Sequence, residues 1–282
     1  MYRKRKTYIC PEDGTSDYEL SRSNKIAREF DLPLHVNGLG KLDPEAEFLI
    51  MVSKQGLYLK PVNEMLALLG SKPIYPDWIS TDVFSAAGRK ASQPLIKAIR
   101  GSKKSLQKGV ILDGTAGWGD DTWIMAAFGF SLISMERNKI VYLLLRDAYA
   151  RAGMRFPRTS SRIRLLNMDT LDILQSLCWG AEHKNNFFPW PDVVYLDPMF
   201  PGSDKRKTAE KKESKCLRLL EGEAQCDSER EAQLLELSLH TAGTKVVVKR
   251  PKNGSRYAEK VAAPVHQVYG KGIRFDVYMS SK

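Results

Sequence analysis

Short apolar runs of strand length, alternating with segments of helical spacing, constrain this chain more than any other feature of its 282 residues. The runs are 109–113, 131–136, 163–169, 192–197 and 245–249. Between them, 122–128, 138–152 and 228–241 carry the helical period and stop at Gly129, Gly153 and Gly243, where a helix ends most easily. Such alternation is what a parallel sheet with crossover helices requires, so the expected class is α/β. Four of the runs end at or beside an acid, Asp113, Glu136, Asp169 or Asp197. Open parallel sheets bind their ligands outside the carboxyl ends of the strands, and these acids therefore mark the place to look for a site. After the fifth run, 256–262 predicts one more helix. Segments 266–270 and 273–279 then flank Lys271-Gly272 as a hairpin.

Residues 1–85 read as a small α+β N-terminal domain and 86–282 as the main domain. In the smaller part, 47–53 and 56–60 predict two strands across a Lys-Gln-Gly turn, and 61–69 predicts helical turns ending at Gly70. The chain holds no apolar run of about 18 residues, and its charged start lacks the apolar stretch of a secretory signal, so the expected location is the cytoplasm, away from any membrane. Cys10, Cys178, Cys216 and Cys226 are far apart and without Cys-x-x-Cys spacing. His35, His183, His240 and His266 are equally scattered. Reduced cysteines and a site without metal are expected.

The segment from Val110 through Asp113, Gly117 and Gly119 to Asp120 and Asp121 is a buried strand, a glycine-rich turn and a helix start. Glycines let the backbone approach a ligand. A dinucleotide site would rest a pyrophosphate on that helix N-terminus, but Asp120 and Asp121 repel phosphate and favour a cation. S-adenosylmethionine has no phosphate and carries a sulfonium and an ammonium, so the sign of the charge prefers it to NAD. A Tyr-x-x-x-Lys proton relay is also missing. Glu136, about 20 residues past the glycine turn, suits a ribose diol, and Asp169 with Thr170 suits the edge of an adenine.

The fourth run ends in Asp197-Pro198-Met199-Phe200, similar to the Asp/Asn-Pro-Pro-Tyr/Phe motif of methyltransferases that modify exocyclic amines. Such an amine is a poor nucleophile because its lone pair is delocalised into the base. The Asp197 carboxylate and the Pro198 carbonyl are candidate acceptors for its N–H groups as positive charge develops, with Phe200 stacking on the extruded base. Proline at 198 and 201 stiffens the loop for near-attack geometry.

Charge adds a partner class. The formal charge is +11, and Lys205, Arg206, Lys207, Lys211, Lys212, Lys215 and Arg218 crowd the stretch just after this motif. Together with Lys249, Arg250, Lys252, Lys271 and Arg274 they are expected to meet a phosphate backbone.

The combination of Asp113-Gly-Thr-Ala-Gly-Trp-Gly-Asp-Asp121, Met135-Glu-Arg-Asn138, Val193-Val-Tyr-Leu-Asp-Pro-Met-Phe-Pro201 and Val246-Val-Val-Lys-Arg-Pro251, followed by Lys271-Gly-x-Arg-Phe-Asp-x-Tyr278, resembles the RsmJ family of small-subunit (16S) ribosomal RNA guanine-N2 methyltransferases. The resemblance covers roughly 108–280. It implies a class I, Rossmann-like fold, S-adenosylmethionine as donor, ribosomal RNA or the small ribosomal subunit as partner, and donor contacts at Asp120, Asp121, Glu136, Arg137, Asp169, Thr170 and Asp197. The chain departs from the family pattern in having an acid at Asp120, Asp169-Thr170 in place of serines, and no histidine-arginine and glycine-rich run in 82–90. The alternatives are methylation of another RNA or of a DNA base, and a non-catalytic RNA-binding assembly factor. Against the last stand the intact glycine turn and Asp197.

Overall fold

The computed structural model describes residues 5–36, 41–101, 109–179, 189–198, 211–221 and 228–282. In chain order the elements begin with β1 (Thr7–Pro11), α1 (Asp17–Phe30), β2 (Phe48–Val52), β3 (Leu57–Pro61), α2 (Asn63–Leu69) and α3 (Ala86–Arg100). Then follow β4 (Val110–Asp113), α4 (Asp120–Ala127), β5 (Ser131–Met135), α5 (Lys139–Arg155), α6 (Pro157–Ser160), β6 (Ile163–Leu166) and α7 (Thr170–Trp179). The chain finishes with β7 (Val193–Leu196), α8 (Lys212–Glu221), α9 (Ser228–Thr241), β8 (Lys245–Pro251), β9 (His266–Tyr269) and β10 (Ile273–Met279). These elements fall into two compact units. One is built from described residues of 1–77, 138–151 and 202–225, the other from those of 78–137, 152–201 and 226–282.

The first unit carries a three-stranded sheet in the order β1-β2-β3, with β1 parallel and β3 antiparallel to β2. β2 is buried along its whole length because it is the central strand, and Phe-Leu-Ile-Met-Val supplies only apolar residues for it. α1 starts at Ser16, whose hydroxyl accepts from the Glu19 N–H, with Asp17 and Glu19 in the positive first turn. Inside this unit the buried Asp147 carboxylate of α5 takes Arg22 at 2.7 Å, Arg151 at 2.8 Å and the Leu57 N–H at 3.0 Å. A buried charge persists only when paired in this way.

The second unit holds a seven-stranded sheet in the order β6-β5-β4-β7-β8-β10-β9. β4 to β8 run parallel, while β10 inserts antiparallel between β8 and β9. The chain leaves β4 toward β5 and β6 on one side and later returns to β7 on the other, so the strand order reverses between β4 and β7. Side chains alternate across the sheet. Leu112, Val194, Leu196, Val246 and Val248 pack into one core with Leu171 and Leu174 of α7 and Leu234 and Leu235 of α9. Each such buried side chain contributes roughly 1.5–3 kcal/mol. The intervening residues Asp113, Tyr195, Asp197 and Lys249 therefore share the other face.

Apart from β1, which no sequence pattern announces, the strands and the terminal hairpin lie where the sequence predicts them, within a residue or three. The helix predicted at 256–262 is absent: the stretch is a series of turns with Ala258 at φ 42°, and it buries Tyr257. A left-handed residue cannot continue a helix. Among the described residues, no helix is long and apolar enough to cross a membrane.

Candidate active site

Glycine-rich backbone and strand-end acids meet at the strand-order reversal of the second unit. Leaving β4, Gly114 donates its N–H to the Tyr195 carbonyl of β7 at 3.0 Å, and Ala116 donates to the Met135 carbonyl of β5 at 3.0 Å. The turn thereby clips the two neighbouring strands. Gly117 and Gly119 close it at φ 55° and 77°, angles that other residues rarely adopt. Glu136, at the tip of β5, reaches across to accept the Gly117 N–H at 2.9 Å. Asp120 and Asp121 then open α4, where the helix dipole favours negative charge.

Asp113 sits beneath this turn with 1% of its surface exposed. The Thr122 hydroxyl donates to its carboxylate, and the Thr115 N–H does so at 3.2 Å. Burial nonetheless pushes the Asp113 carboxyl up to about 7. On the far side of the turn, Thr170 donates its hydroxyl to the Gly114 carbonyl at 2.6 Å, and both oxygens of Asp169 lie 2.7 Å from Arg230 Nη2. Arg137 is exposed beside Glu136.

The β7 motif is tied to the same turn. The Asp197 N–H donates to Thr115 Oγ1 at 2.6 Å. One step past the paired positions Leu196 and Val248, Asp197 and Lys249 stand abreast, and Lys249 Nζ donates to Asp197 Oδ2 at 2.9 Å and to Asp121 Oδ2 at 2.7 Å. The Tyr195 hydroxyl donates to that same Asp121 oxygen at 2.6 Å. Burial pushes the Asp197 carboxyl above the usual carboxylate range, and Lys249 opposes the rise. Although burial works against its charge, Lys249 stays firmly protonated because Asp197 and Asp121 hold it. Pro198 follows directly, half-buried. Phe200 lies outside the described residues, as do Lys205, Arg206 and Lys207. A cavity of about 250 Å³ opens on this face, bordered by Asp121 and Ile124 of α4, Ser92 and Leu95 of α3, and Phe275 of β10.

The second unit thus brings together Asp113, Gly117, Gly119, Asp121, Glu136, Thr170 and Asp197 around one turn, with Asp120 and Arg137 at its exposed rim. This donor set fits S-adenosylmethionine. Glycine backbone permits close approach, and carboxylates ring the turn with their one central ammonium already shared, an arrangement hostile to phosphate and favourable to a sulfonium. Among the described residues no group of three or more His, Cys, Asp or Glu is placed to hold a metal ion.

Three basic residues expected to meet phosphate do other work. Lys249 is the ammonium between Asp121 and Asp197. Arg250 is buried, with Nε donating to the Ser255 carbonyl at 3.0 Å. Arg274 is buried against Asp276 at 2.8 Å and also donates to the carbonyls of Pro251, Lys252 and Gly254, so it fastens the turn that leaves β8. A guanidinium buried with every donor aimed at protein oxygen is a structural strut rather than a phosphate contact. Lys252 and Lys271 are exposed. Lys215, in the first unit, donates to the Leu68 carbonyl at 3.1 Å near the end of α2.

The place of Lys249 was the signal missed in the sequence. A lysine after three valines in a strand buried on both faces must either find a carboxylate or shed its charge, and Asp197 shares its face.

Comparison with known proteins points to the same class of enzyme. The family described as "Putative SAM-dependent methyltransferase" matches residues 34–280. Ribosomal RNA small subunit methyltransferase J of Coxiella burnetii (strain Dugway 5J108-111) is 33% identical over 265 residues, covering 92% of each chain. The protein of that name from Thioalkalivibrio sulfidiphilus is 32% identical over 263 residues, covering 92% of this chain and 93% of its own. The crystal structure of a SAM-dependent methyltransferase from Neisseria gonorrhoeae superposes with a TM-score of 0.64 at 25% identity, covering 97% of this chain and 96% of that one. With a class I fold, a carboxylate-ringed glycine turn at its strand-order reversal and relatives matched over nearly their whole length, this chain belongs to the ribosomal RNA small subunit methyltransferase J family of S-adenosylmethionine-dependent methyltransferases.

Proposed function

We propose that this enzyme moves a methyl group from S-adenosylmethionine to the exocyclic N2 amine of a guanosine in small-subunit (16S) ribosomal RNA. The observation that carries the reading is the Asp197 carboxylate, held by Lys249 at 2.9 Å at the tip of β7 and followed at once by Pro198. The relatives' names supply the RNA class, and the aminic target follows from the motif's likeness to those of other amine methyltransferases.

S-adenosylmethionine supplies an electrophilic methyl on a sulfonium. Glu136 would accept from the ribose hydroxyls, and Asp120, Asp121 and Arg137 would hold the donor's charged groups. Asp169 and Thr170 would border the adenine. The guanine amine must give up a share of its delocalised lone pair, and hydrogen bonds from its two N–H groups to Asp197 and to the Pro198 carbonyl make that easier by stabilising the positive charge that develops. The nitrogen takes the methyl carbon as that carbon's bond to sulfur breaks, the electron pair staying on sulfur in the neutral thioether product S-adenosylhomocysteine, and then loses one proton. Asp197, whose affinity for protons burial has raised, can receive that proton and pass it to solvent. Phe200 stacks on the base in this reading. In this reading residues 1–85 are a small domain ahead of the catalytic domain at 86–282, the first compact unit taking the described residues of 1–77 and adding those of 138–151 and 202–225 from the rest of the chain, and the enzyme works in the cytoplasm.

The test is transfer of labelled methyl to purified small subunits and to free ribosomal RNA, followed by nucleoside analysis. Label in N2-methylguanosine is expected, and label in any other nucleoside overturns the target. Asp197→Ala should lower kcat by about 10²-fold or more with donor affinity less affected, as for loss of a group that acts mainly in the transition state. Near-normal turnover would remove Asp197 from the chemistry.

A further inference from the structure

We propose that Lys249 is the positioning residue of this site, a shared counter-ion that keeps Asp197 ionised and aimed as a hydrogen-bond acceptor while tying it to the first turn of α4. The proposal deepens the methyl-transfer reading and rests on it for the role of Asp197.

The geometry is specific. Asp197 and Lys249 are neighbours by register, one step past Leu196 and Val248, and face the same side of the sheet. Asp121 approaches that side from α4 and shares the ammonium at 2.7 Å while also accepting from Tyr195. The groups facing Asp197 are thus Lys249 from β8, Asp121 from α4, Asp113 from β4 and Tyr195 from its own strand, with Arg250 farther off and bound to Ser255. Asp121 pushes a proton onto Asp197 and Lys249 pushes it off, while Asp197 in turn raises the carboxyl of Asp113.

Without the ammonium, Asp121 and Asp197 would lose their common cation in a half-buried setting, and such a pair of carboxylates retains a proton. A protonated Asp197 presents an O–H donor to an amine that has only N–H groups to offer, so acceptor geometry is lost. The carboxylate pair and the lysine together carry one net negative charge, which suits a cationic donor and is undisturbed by a neutral base. A lysine committed to phosphate would instead point to solvent, whereas this side chain is only 23% exposed and doubly paired.

The experiment follows the ¹³Cγ resonance of Asp197 with pH in aspartate-labelled free protein, assigned by its loss in Asp197→Asn. In Lys249→Gln the titration midpoint should rise by about one pH unit or more. Lys249→Arg should leave it near the wild-type position, because the charge is kept. Asp121→Asn should lower it, because a competing carboxylate is gone. The acid limb of the pH profile of kcat/KM should move in the same directions, and the salt dependence of RNA affinity should be unchanged by Lys249→Gln. A folded Lys249→Gln protein with an unmoved midpoint overturns the proposal, as does a salt slope reduced by about one. If circular dichroism shows that Lys249→Gln does not fold, Asp121→Asn decides: a lower midpoint supports the shared counter-ion, and an unmoved or higher one refutes it. A wild-type enzyme that leaves guanine N2 unmethylated overturns the functional reading instead, while the titration still decides the role of Lys249.

Discussion

Asp113 carries an electrostatic cost in holding the glycine turn. Its carboxyl ionises near 3.8 in an unfolded chain and is pushed up to about 7 in the fold by burial, with Thr122 and Thr115 offsetting only part of the rise. Between these values the folded protein keeps a proton that the unfolded chain has released, so stability falls as pH rises from about 4 to 7 and levels off above. Asp113→Asn keeps an acceptor for Thr122 and removes the titration. Relative to wild type, it should gain on the order of 3 kcal/mol between pH 4 and pH 8 in urea denaturation. A constant difference across that range would mean that Asp113 is not the group responsible. Glu136 is the second residue with a directional outcome: Glu136→Ala removes the acceptor of the Gly117 N–H and the proposed ribose contact. Donor affinity by calorimetry should drop roughly 10-fold or more, as for loss of a charged hydrogen bond, and unchanged affinity would place the ribose elsewhere.

Among the elements, the exit of β4 is the tightest junction. A Cβ on Gly114 would lie 2.8 Å from Thr170 Cγ2 and 3.0 Å from Leu196 Cδ2, so β7 and α7 pack directly on this backbone. Gly114→Ala should cost about 1–3 kcal/mol through overpacking and weaken donor binding by shifting the turn; a thermal unfolding midpoint equal to wild type would show that the junction has room to give. Legibility varies by element for related reasons. Strands β4, β5, β7 and β8 can be read because each is a short apolar run closed by a turn signal or an acid, and the β9–β10 hairpin can be read because its pairing is local. The pairing of β1 with its parallel partner β2 cannot be read, since their contact joins Thr7 to Phe48 across a long connection that leaves no local trace. The helix expected at 256–262 does not form because Ala258 takes a left-handed angle to bury Tyr257 against the β8 exit. Tertiary packing there outweighs a helical preference worth only tenths of a kcal/mol per residue.

For the whole molecule, the excess of positive charge predicts a long-range attraction to a polyanion. Burial of Arg250 and Arg274 and the pairing of Lys249 leave exposed residues such as Lys252 and Lys271 for that role, and the sequence adds Lys205, Arg206 and Lys207 as candidates. Replacing Lys205, Arg206 and Lys207 with glutamine should reduce the slope of log affinity for RNA against log salt by roughly 2 to 3, in proportion to the phosphates that are no longer neutralised. An unaltered slope would remove this stretch from the RNA interface. The sequence by itself determined the class of fold, the glycine turn and the strand-end acids, because periodicity and turn chemistry are local properties written residue by residue. Only the tertiary structure decided that Lys249 and Asp121 join Asp197 while Arg250 and Arg274 turn inward. The reason is physical: register between strands and the approach of a helix to one face of a sheet bring together charges 52 and 128 residues apart, and whether a charge is neutralised inside the fold or offered to a partner depends on who its neighbours are.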